Sequence, residues 1–222
     1  ERHGVRRLVF SSTCAVYGAP ETMPIVEDLP MAPINPYGNT KLVAEMMMAD
    51  FAVAHAFQCV ALRYFKAAGA DPAGDIGEDH DPESHLIPNA IRAALGRGPA
   101  LRVFGGDYDT PDGTCLRDYV HVNDLADAHI AAVRFLAAAP EGGLFEGFNL
   151  GTGKAASVLD VIRGIEAVSG KTVPYSIAPR RPGDSPMLYA GPGKANRVLG
   201  WKPEYMDIRD SIATAWKWHS GQ

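Results

Sequence analysis

The sequence predicts an α/β fold that is built on a parallel sheet, with a smaller α+β lobe beside it. The first observation is the order of elements at the start of the chain, where two apolar, β-branched runs, Arg7–Ser12 and Cys59–Phe65, flank a helix over about 37–57. A strand, helix and strand in this order predict a right-handed parallel crossover. The second observation is the acidic, Gly- and Pro-punctuated run 71–82, which indicates a loop that crosses between lobes.

These patterns suggest a division of the chain into two parts. We expect residues 1–68 to belong to the sheet domain, with a helix and a strand from 122–150 returning to it, and residues 69–222 to form mainly the smaller lobe. Further helices are predicted over about 85–97, from a cap at Asn123 or Asp124 to about Ala139, over 194–199 and over 207–219. Short strands are predicted over 101–104, 145–150 and 172–177.

Composition excludes several classes of function. The 222 residues carry a formal net charge of -5 and no basic run, which argues against a nucleic-acid partner. Three cysteines without metal-like spacing predict reduced thiols and a cytoplasmic location, and no apolar stretch predicts a membrane span. The acids of the 71–82 loop miss the spacing of a calcium-binding EF-hand loop, and no metal site is predicted.

Tyr37 and Lys41 follow Pro36 at a spacing of four residues, which places both side chains on one face of the same helix. A phenol has a pKa near ~10 and is a poor base at neutral pH unless positive charge stabilises the phenolate. A lysine one helical turn away supplies such a charge. Taken alone, the pair is also compatible with a surface tyrosine beside a surface lysine.

A hydroxyl cluster, Ser11, Ser12 and Thr13, stands at the carboxyl end of the first strand. Ligands of open α/β sheets bind just outside the carboxyl ends of the strands, although Ser/Thr clusters there also form turns. The combination of strand, hydroxyls and a helix that opens with Tyr-x-x-x-Lys resembles the extended short-chain dehydrogenase/reductase family. That resemblance puts the catalytic residues of the family at Thr13, Tyr37 and Lys41, and implies part of a Rossmann-type NAD-binding domain.

The likeness is sharpest to the branch of this family that epimerises UDP-sugars at carbon 4. It rests on residues 10–18, 36–41, 104–129 and 178–184, of which the third stretch, FGGDYDTPDGTCLRDYVHVNDLADAH, is long and irregular. The resemblance implies reversible NAD-dependent interconversion of UDP-glucose and UDP-galactose through a 4-keto sugar, and a homodimer for the full-length enzyme. Related dehydratases carry Asp-Glu directly after the Thr, where this chain has Cys14-Ala15. The alternatives are another NAD-dependent nucleotide-sugar epimerase or decarboxylase, and a sugar-nucleotide-binding fragment without catalysis.

The resemblance also implies the residues that hold each ligand. Cofactor contacts are expected from Ser11, Ser12, Tyr37, Lys41, Tyr64 and Phe65. Substrate contacts are expected from Thr13, Lys66, His85, Leu86, Phe104, Arg117, Arg181, Asp184 and Leu188. Lys66 departs from the Asn that is common in the family, and it offers charge to a diphosphate but no hydrogen-bond acceptor.

The Gly-rich turn that binds a dinucleotide in this family is not found ahead of Thr13, so we expect the chain to be a fragment that is inactive alone. The run Gly151–Ala156 nominally satisfies G-x-G-x-x-A. The strand-like segment after it contains Pro174 and ends without an acid for a ribose. We therefore interpret this run as a turn that leads to a helix capped by Ser157, not as a cofactor site.

Overall fold

The computed structural model describes residues 3–222, which form a mixed α/β fold. The strands are β1 (Arg7–Thr13), β2 (Gln58–Tyr64), β3 (Lys66–Ala68), β4 (Leu101–Phe104), β5 (Leu116–His121), β6 (Leu144–Leu150), β7 (Ala155–Ser157), β8 (Tyr175–Ala178) and β9 (Met187–Leu188). The helices are α1 (Pro36–His55), α2 (Leu86–Ala94), α3 (Val122–Ala138), α4 (Val158–Ser169), α5 (Gly193–Leu199) and α6 (Ile208–Gly221), and a 3-10 turn covers Cys14–Tyr17. Within residues 3–222, no helix has both the length and the hydrophobicity that crossing a bilayer requires.

The main sheet contains three parallel strands in the order β1-β2-β6. The parallel crossover predicted from β1, α1 and β2 is confirmed. Helices α1 and α3 pack on this sheet, and its core joins the β2 side chains Val60 and Leu62 to Phe148 of β6 and Leu136 of α3. The carboxyl ends of all three strands lie along one edge, because Thr13 pairs with Tyr64 and Tyr64 pairs with Leu150.

A second core lies between α2, α4 and α6 and the short strands that follow β2. Strand β5 is the centre of a mixed sheet, where it pairs in parallel with β3 and β9 and antiparallel with β7. Strands β4 and β8 form a separate parallel pair. Ile91, Val103, Ile165 and Ile212 are buried in this second core, one from each of α2, β4, α4 and α6.

The prediction that Asn123 or Asp124 caps α3 is wrong. The cap is His121, whose Nδ1 accepts from the backbone N–H of Asn123 at 3.1 Å. Asp124 is instead buried, and its carboxylate accepts from the backbone N–H groups of Glu204 and Tyr205 at 2.8 and 3.1 Å. Because the Asp124 carboxylate accepts hydrogen bonds from this distant segment, it is not available to cap its own helix.

The other predicted helices and strands lie within a few residues of the observed ones, whereas β3, β5, β7 and β9 were not predicted. Ser157 caps α4 as predicted, in a capping box with Asp160. Helix α2 ends at Ala94, three residues earlier than predicted, and the chain turns at Gly96 with a φ of 70°. Strand β8 begins only after Pro174, which has no N–H to donate to a neighbouring strand.

A buried polar network fixes α1 on the main sheet. Arg63 of β2 donates to the carboxylate of Glu45 on α1 at 2.6–3.1 Å, and the Ser12 hydroxyl donates to the same carboxylate. Nη1 of Arg63 donates to the Tyr17 hydroxyl at 2.7 Å. That hydroxyl in turn donates to the side-chain oxygen of Asn149 on β6 at 2.8 Å. These contacts join β1, α1, β2, β6 and the 3-10 turn.

We expect the variant Glu45→Gln to lower the free energy of unfolding by about 3 kcal/mol, because it leaves the guanidinium of Arg63 buried without a counter-charge. Urea denaturation of the chain measures the change. The matched control is Asp50→Asn, which removes one negative charge from an exposed position of the same helix and is expected to cost no more than about 0.5 kcal/mol. Equal losses for the two variants would contradict a structural role of the pair.

Candidate active site

The amino-terminal end of α1 packs directly against the turn that follows β1. Asn35 caps the helix, and its side-chain oxygen accepts from the backbone N–H of Gly38 at 2.8 Å. A Cβ at Gly38 would lie 2.5 Å from the carbonyl oxygen of Ala15, so a larger residue would push the helix away. Glycine at this position therefore brings Tyr37 to the end of the strand that carries Thr13.

Tyr37 and Lys41 lie on the same face of α1, as the sequence predicts. The ammonium group of Lys41 donates to the carbonyl oxygen of Ser11 at 2.9 Å and lies 5.9 Å from the ring centroid of Tyr37. The same ammonium is 4.8 Å from the ring centroid of Phe10. Tyr37 itself is 55% exposed. The arrangement presents an accessible phenol beside a positive charge whose position is fixed by β1, which suits proton transfer to and from a ligand.

The three hydroxyls at the end of β1 have different surroundings. Thr13 is buried, and its Oγ1 accepts from the backbone N–H of Ala15 at 3.2 Å, which leaves its own O–H to donate. The Ser11 hydroxyl contacts Nε2 of His129 at 2.9 Å. The Ser12 hydroxyl points into the buried network and donates to Glu45. Both serine side chains therefore contact protein groups, and their predicted role in cofactor binding stays a prediction.

The residue after Thr13 cannot act as an acid–base catalyst at neutral pH. Burial raises the pKa of the Cys14 thiol to about 11, although the positive charges of Lys66 and Arg117 oppose this shift. The thiol therefore stays protonated, and Ala15 beside it has no titratable group. This agrees with the interpretation that the chain lacks the catalysts of sugar dehydration.

A cavity of about 580 Å³ is lined by β3, the start of α2, β4 and side chains of the second core. Seven of the nine residues predicted to bind substrate line it, namely Lys66, His85, Leu86, Phe104, Arg117, Arg181 and Asp184. Thr13 and Leu188 are not among its lining residues. Leu188 instead pairs with Arg117 across β9 and β5, and packs against a buried cluster that contains Phe65, as Cys14 also does. The two predicted cofactor residues Tyr64 and Phe65 lie at the carboxyl end of β2.

The cavity combines an aromatic ring with fixed positive charge. The ring of Phe104 has the guanidinium carbon of Arg181 at 3.8 Å and that of Arg102 at 5.2 Å from its centroid. Arg117 donates to the carbonyl oxygens of Leu116 and Ser185 at 2.9 Å, so its orientation is set by the backbone. Arg102 was not identified from sequence, although alternation along β4 puts it on the same face as Phe104.

The Gly151–Gly153 turn binds an internal carboxylate. The backbone N–H groups of Thr152 and Gly153 donate to Asp118 at 2.9 and 3.0 Å, and the N–H of Ala190 donates to it at 3.1 Å. Asp118 is fully buried, and burial raises its pKa even though these donors oppose the shift. A Cβ at Gly151 would lie 2.4 Å from the Asp118 carboxylate. The amides that a pyrophosphate would need are thus already satisfied by the protein.

Known proteins match this chain over almost its whole length. Residues 1–151 match the model of the NAD dependent epimerase/dehydratase family. A UDP-glucose 4-epimerase from Azospirillum brasilense is 51% identical over 98% of this chain and 62% of its own length. The crystal structure of UDP-glucose 4-epimerase from Brucella ovis in complex with NAD is 50% identical, with a TM-score of 0.91 over 96% of this chain and 65% of that one.

A third relative, the crystal structure of UDP-glucose 4-epimerase from Bifidobacterium longum in complex with NAD+ and UDP, is 42% identical and has a TM-score of 0.92. The match covers 100% of this chain and 65% of that one. The present chain thus spans 62–65% of the length of these three relatives. Their parallel Rossmann-like sheet is the fold observed here. Because the family model covers 151 residues and relatives at about half identity cover the rest, this chain belongs to the NAD dependent epimerase/dehydratase family.

Proposed function

We propose that this chain is the catalytic and substrate-binding part of an NAD-dependent enzyme that interconverts UDP-glucose and UDP-galactose at carbon 4. The observation that carries the proposal is that the start of α1, which carries Tyr37 and Lys41, packs against the end of β1 and the turn that follows Thr13. The cationic, aromatic cavity described above supplies the second half of such a site. Because the chain spans 62–65% of the length of its relatives, the activity is proposed for this chain joined to the part of a relative that it does not cover.

The cavity suits a nucleoside diphosphate. Arg117 is held rigidly by backbone carbonyls, and Arg181 lies over the Phe104 ring, so both present planar guanidinium groups suited to phosphate oxygens. The flat face of Phe104 suits a base or a sugar ring. Lys66, which is exposed at the cavity, adds a further positive charge. Support comes from the Bifidobacterium longum relative, whose structure contains UDP.

The described residues fit one end of NAD. Lys41 and the exposed Tyr37 would hold the nicotinamide ribose, whereas the Gly151–Gly153 turn does not fit the pyrophosphate because its amides bind Asp118. When bound, the cofactor supplies a hydride acceptor and donor. That chemistry is required because the C–H bond at carbon 4 of a hexose is not acidic enough for a simple base.

Side chains of the protein transfer the proton of the 4-hydroxyl group. Tyr37, as the phenolate, takes the proton of the 4-hydroxyl group, and the fixed ammonium of Lys41 stabilises the negative charge on the phenolate. The O–H of Thr13 donates to the 4-oxygen and orients it. After the 4-keto sugar has presented its other face, Tyr37 returns the proton. Elimination of water does not compete, because the protonated thiol of Cys14 cannot act as a base.

The proposal includes a homodimer that forms through α1. Val43, Met46, Met47 and Val53 on this helix are 54–89% exposed, while Ala52 and Glu45 face the sheet. A helix that is apolar on both sides is normally buried on both sides, and a second copy of α1 offers a matching apolar face. The three free cysteines and the net charge of -5 support a cytoplasmic location and argue against a nucleic-acid partner.

The central test uses a chimaera in which the amino-terminal part of the Azospirillum brasilense relative precedes this chain. We expect the chimaera to convert UDP-galactose, and Tyr37→Phe to lower its kcat by ~10²–10⁴ because the general base is lost, while bound NAD remains at the same level. Tyr175→Phe, at an exposed tyrosine of β8, is the control and should keep the full rate. A Tyr37→Phe rate within tenfold of the parent would exclude Tyr37 as the base.

We expect Leu188 to limit the size of the sugar. In the same chimaera, Leu188→Tyr should disfavour an N-acetylated UDP-sugar over UDP-galactose, because added volume beside a packed cluster costs ~1–3 kcal/mol. The ratio of kcat/KM for the two substrates measures the effect. An equal loss on both would show that Leu188 does not close the sugar pocket.

The homodimer is tested by sedimentation of the chimaera. We expect Met47→Glu to produce monomers, because it places a charge in the proposed apolar contact. Ile76→Glu changes another exposed apolar side chain, in the loop after β3, and should leave the dimer intact. A monomeric parent, or a dimeric Met47→Glu variant, would refute the α1 contact.

A further inference from the structure

Four side chains with metal-ligand atoms converge in the loop that leads into α2. They are Glu78, His80, Glu83 and His85, and one ligand atom from each lies within 4.8 Å of the others. We propose that this cluster is a Zn²⁺ site. The proposal rests on side chains outside the Thr13, Tyr37 and Lys41 group, although Glu78 and His85 also line the cavity that is proposed to bind the substrate.

The distances suit a small cation. Oε1 of Glu78 lies 2.9 Å from Nδ1 of His80 and 2.5 Å from Nδ1 of His85. The carboxylate oxygens of Glu83 lie 3.9 Å from Nδ1 of His80 and 3.0 Å from Nδ1 of His85. Tetrahedral Zn²⁺ with bonds near 2.0–2.2 Å separates its ligands by roughly 3.4 Å. The observed separations fall on both sides of that value, so small movements of the side chains would admit the ion.

The chemistry of the donors selects the ion. Two carboxylates and two neutral imidazoles carry two negative charges, which one divalent cation balances. Imidazole nitrogens favour Zn²⁺ and similar transition metals, whereas Ca²⁺ and Mg²⁺ prefer oxygen ligands. A shared cation also separates the two carboxylates that lie close together here.

Backbone contacts already hold the ligands in place. The Glu83 side chain is only 3% exposed, and its carboxylate accepts from the backbone N–H of His85 at 2.7 Å. On the other side, Nε1 of Trp218 donates to the carbonyl oxygen of Glu78 at 3.0 Å. Such outer contacts orient metal ligands in known sites. The side chains of His80 and His85 are 59% and 48% exposed, which leaves a path for the ion.

The sequence contains a signal for this site. Glu78-Asp79-His80 and Glu83-Ser84-His85 repeat the pattern Glu-x-His at an interval of five residues. The acids of this loop miss the EF-hand spacing, which concerns oxygen ligands only, and the histidines belong to a different class of site. Because Glu78 and His85 also line the 580 Å³ cavity, a bound ion would hold one side of its rim.

Zinc loading of the chain tests the site. The protein is stripped with a chelator, dialysed against ZnCl₂ and then against metal-free buffer, and its zinc is counted by mass spectrometry. We expect one Zn²⁺ per chain, a higher melting temperature in ZnCl₂, and an intense visible absorption with Co²⁺ that is typical of tetrahedral coordination. MgCl₂ should not reproduce the thermal shift. Zinc that washes off the parent chain would overturn the proposal.

Matched variants separate coordination from attraction to an acidic loop. His80→Gln and Glu78→Gln each remove one ligand, and we expect both to weaken zinc binding about tenfold or more and to abolish the thermal shift. Asp79→Asn and Asp81→Asn each remove one exposed charge from the same loop but no ligand, and should keep the parent affinity within about threefold. Equal losses in the two sets would show that only general electrostatic attraction is present, and would refute the site.

Discussion

The contact on which the candidate active site depends is the buried ion pair between Glu45 and Arg63. Two charges that are buried away from water are tolerated only when hydrogen bonds satisfy them. Here Arg63 and Glu45 bond to each other, the Ser12 hydroxyl also donates to Glu45, and Arg63 also donates to the Tyr17 hydroxyl. Gly147 of β6 leaves the necessary space, because a Cβ there would lie 2.7 Å from the guanidinium carbon of Arg63. Because hydrogen bonds are directional, they restrict both the rotation of α1 about its axis and its translation along the sheet. Apolar packing alone would restrict these movements less.

The local part of the fold could be predicted from sequence, because its signals lie within a few residues of each other. The strands β1 and β2, the helix between them and the Tyr37–Lys41 face all follow from short-range periodicity. The Ser157 cap was identified for the same reason. The likeness to a known family then indicated which side chains would gather around the cavity, and seven of those residues do line it.

The parts that could not be predicted depend on partners far apart along the chain. Asp124 was expected to cap α3, but it binds backbone groups about 80 residues away, and His121 takes its place. Glu45 and Arg63 each look like ordinary surface residues until the fold buries them. The roles of Ser11 and Ser12 as cofactor ligands, and the division into two domains, remain predictions.

The carboxylate of Asp118 gathers three stretches of chain that are far apart in sequence: its own strand β5, the turn after β6 and the residue Ala190 after β9. None of the three can move away alone without leaving a buried carboxylate oxygen or a backbone N–H without its hydrogen-bond partner. The Asp118 carboxylate therefore links these three stretches to one another. Since β5 carries Arg117, which lines the cavity, the position of this guanidinium depends on the backbone of all three stretches and not only on its own strand.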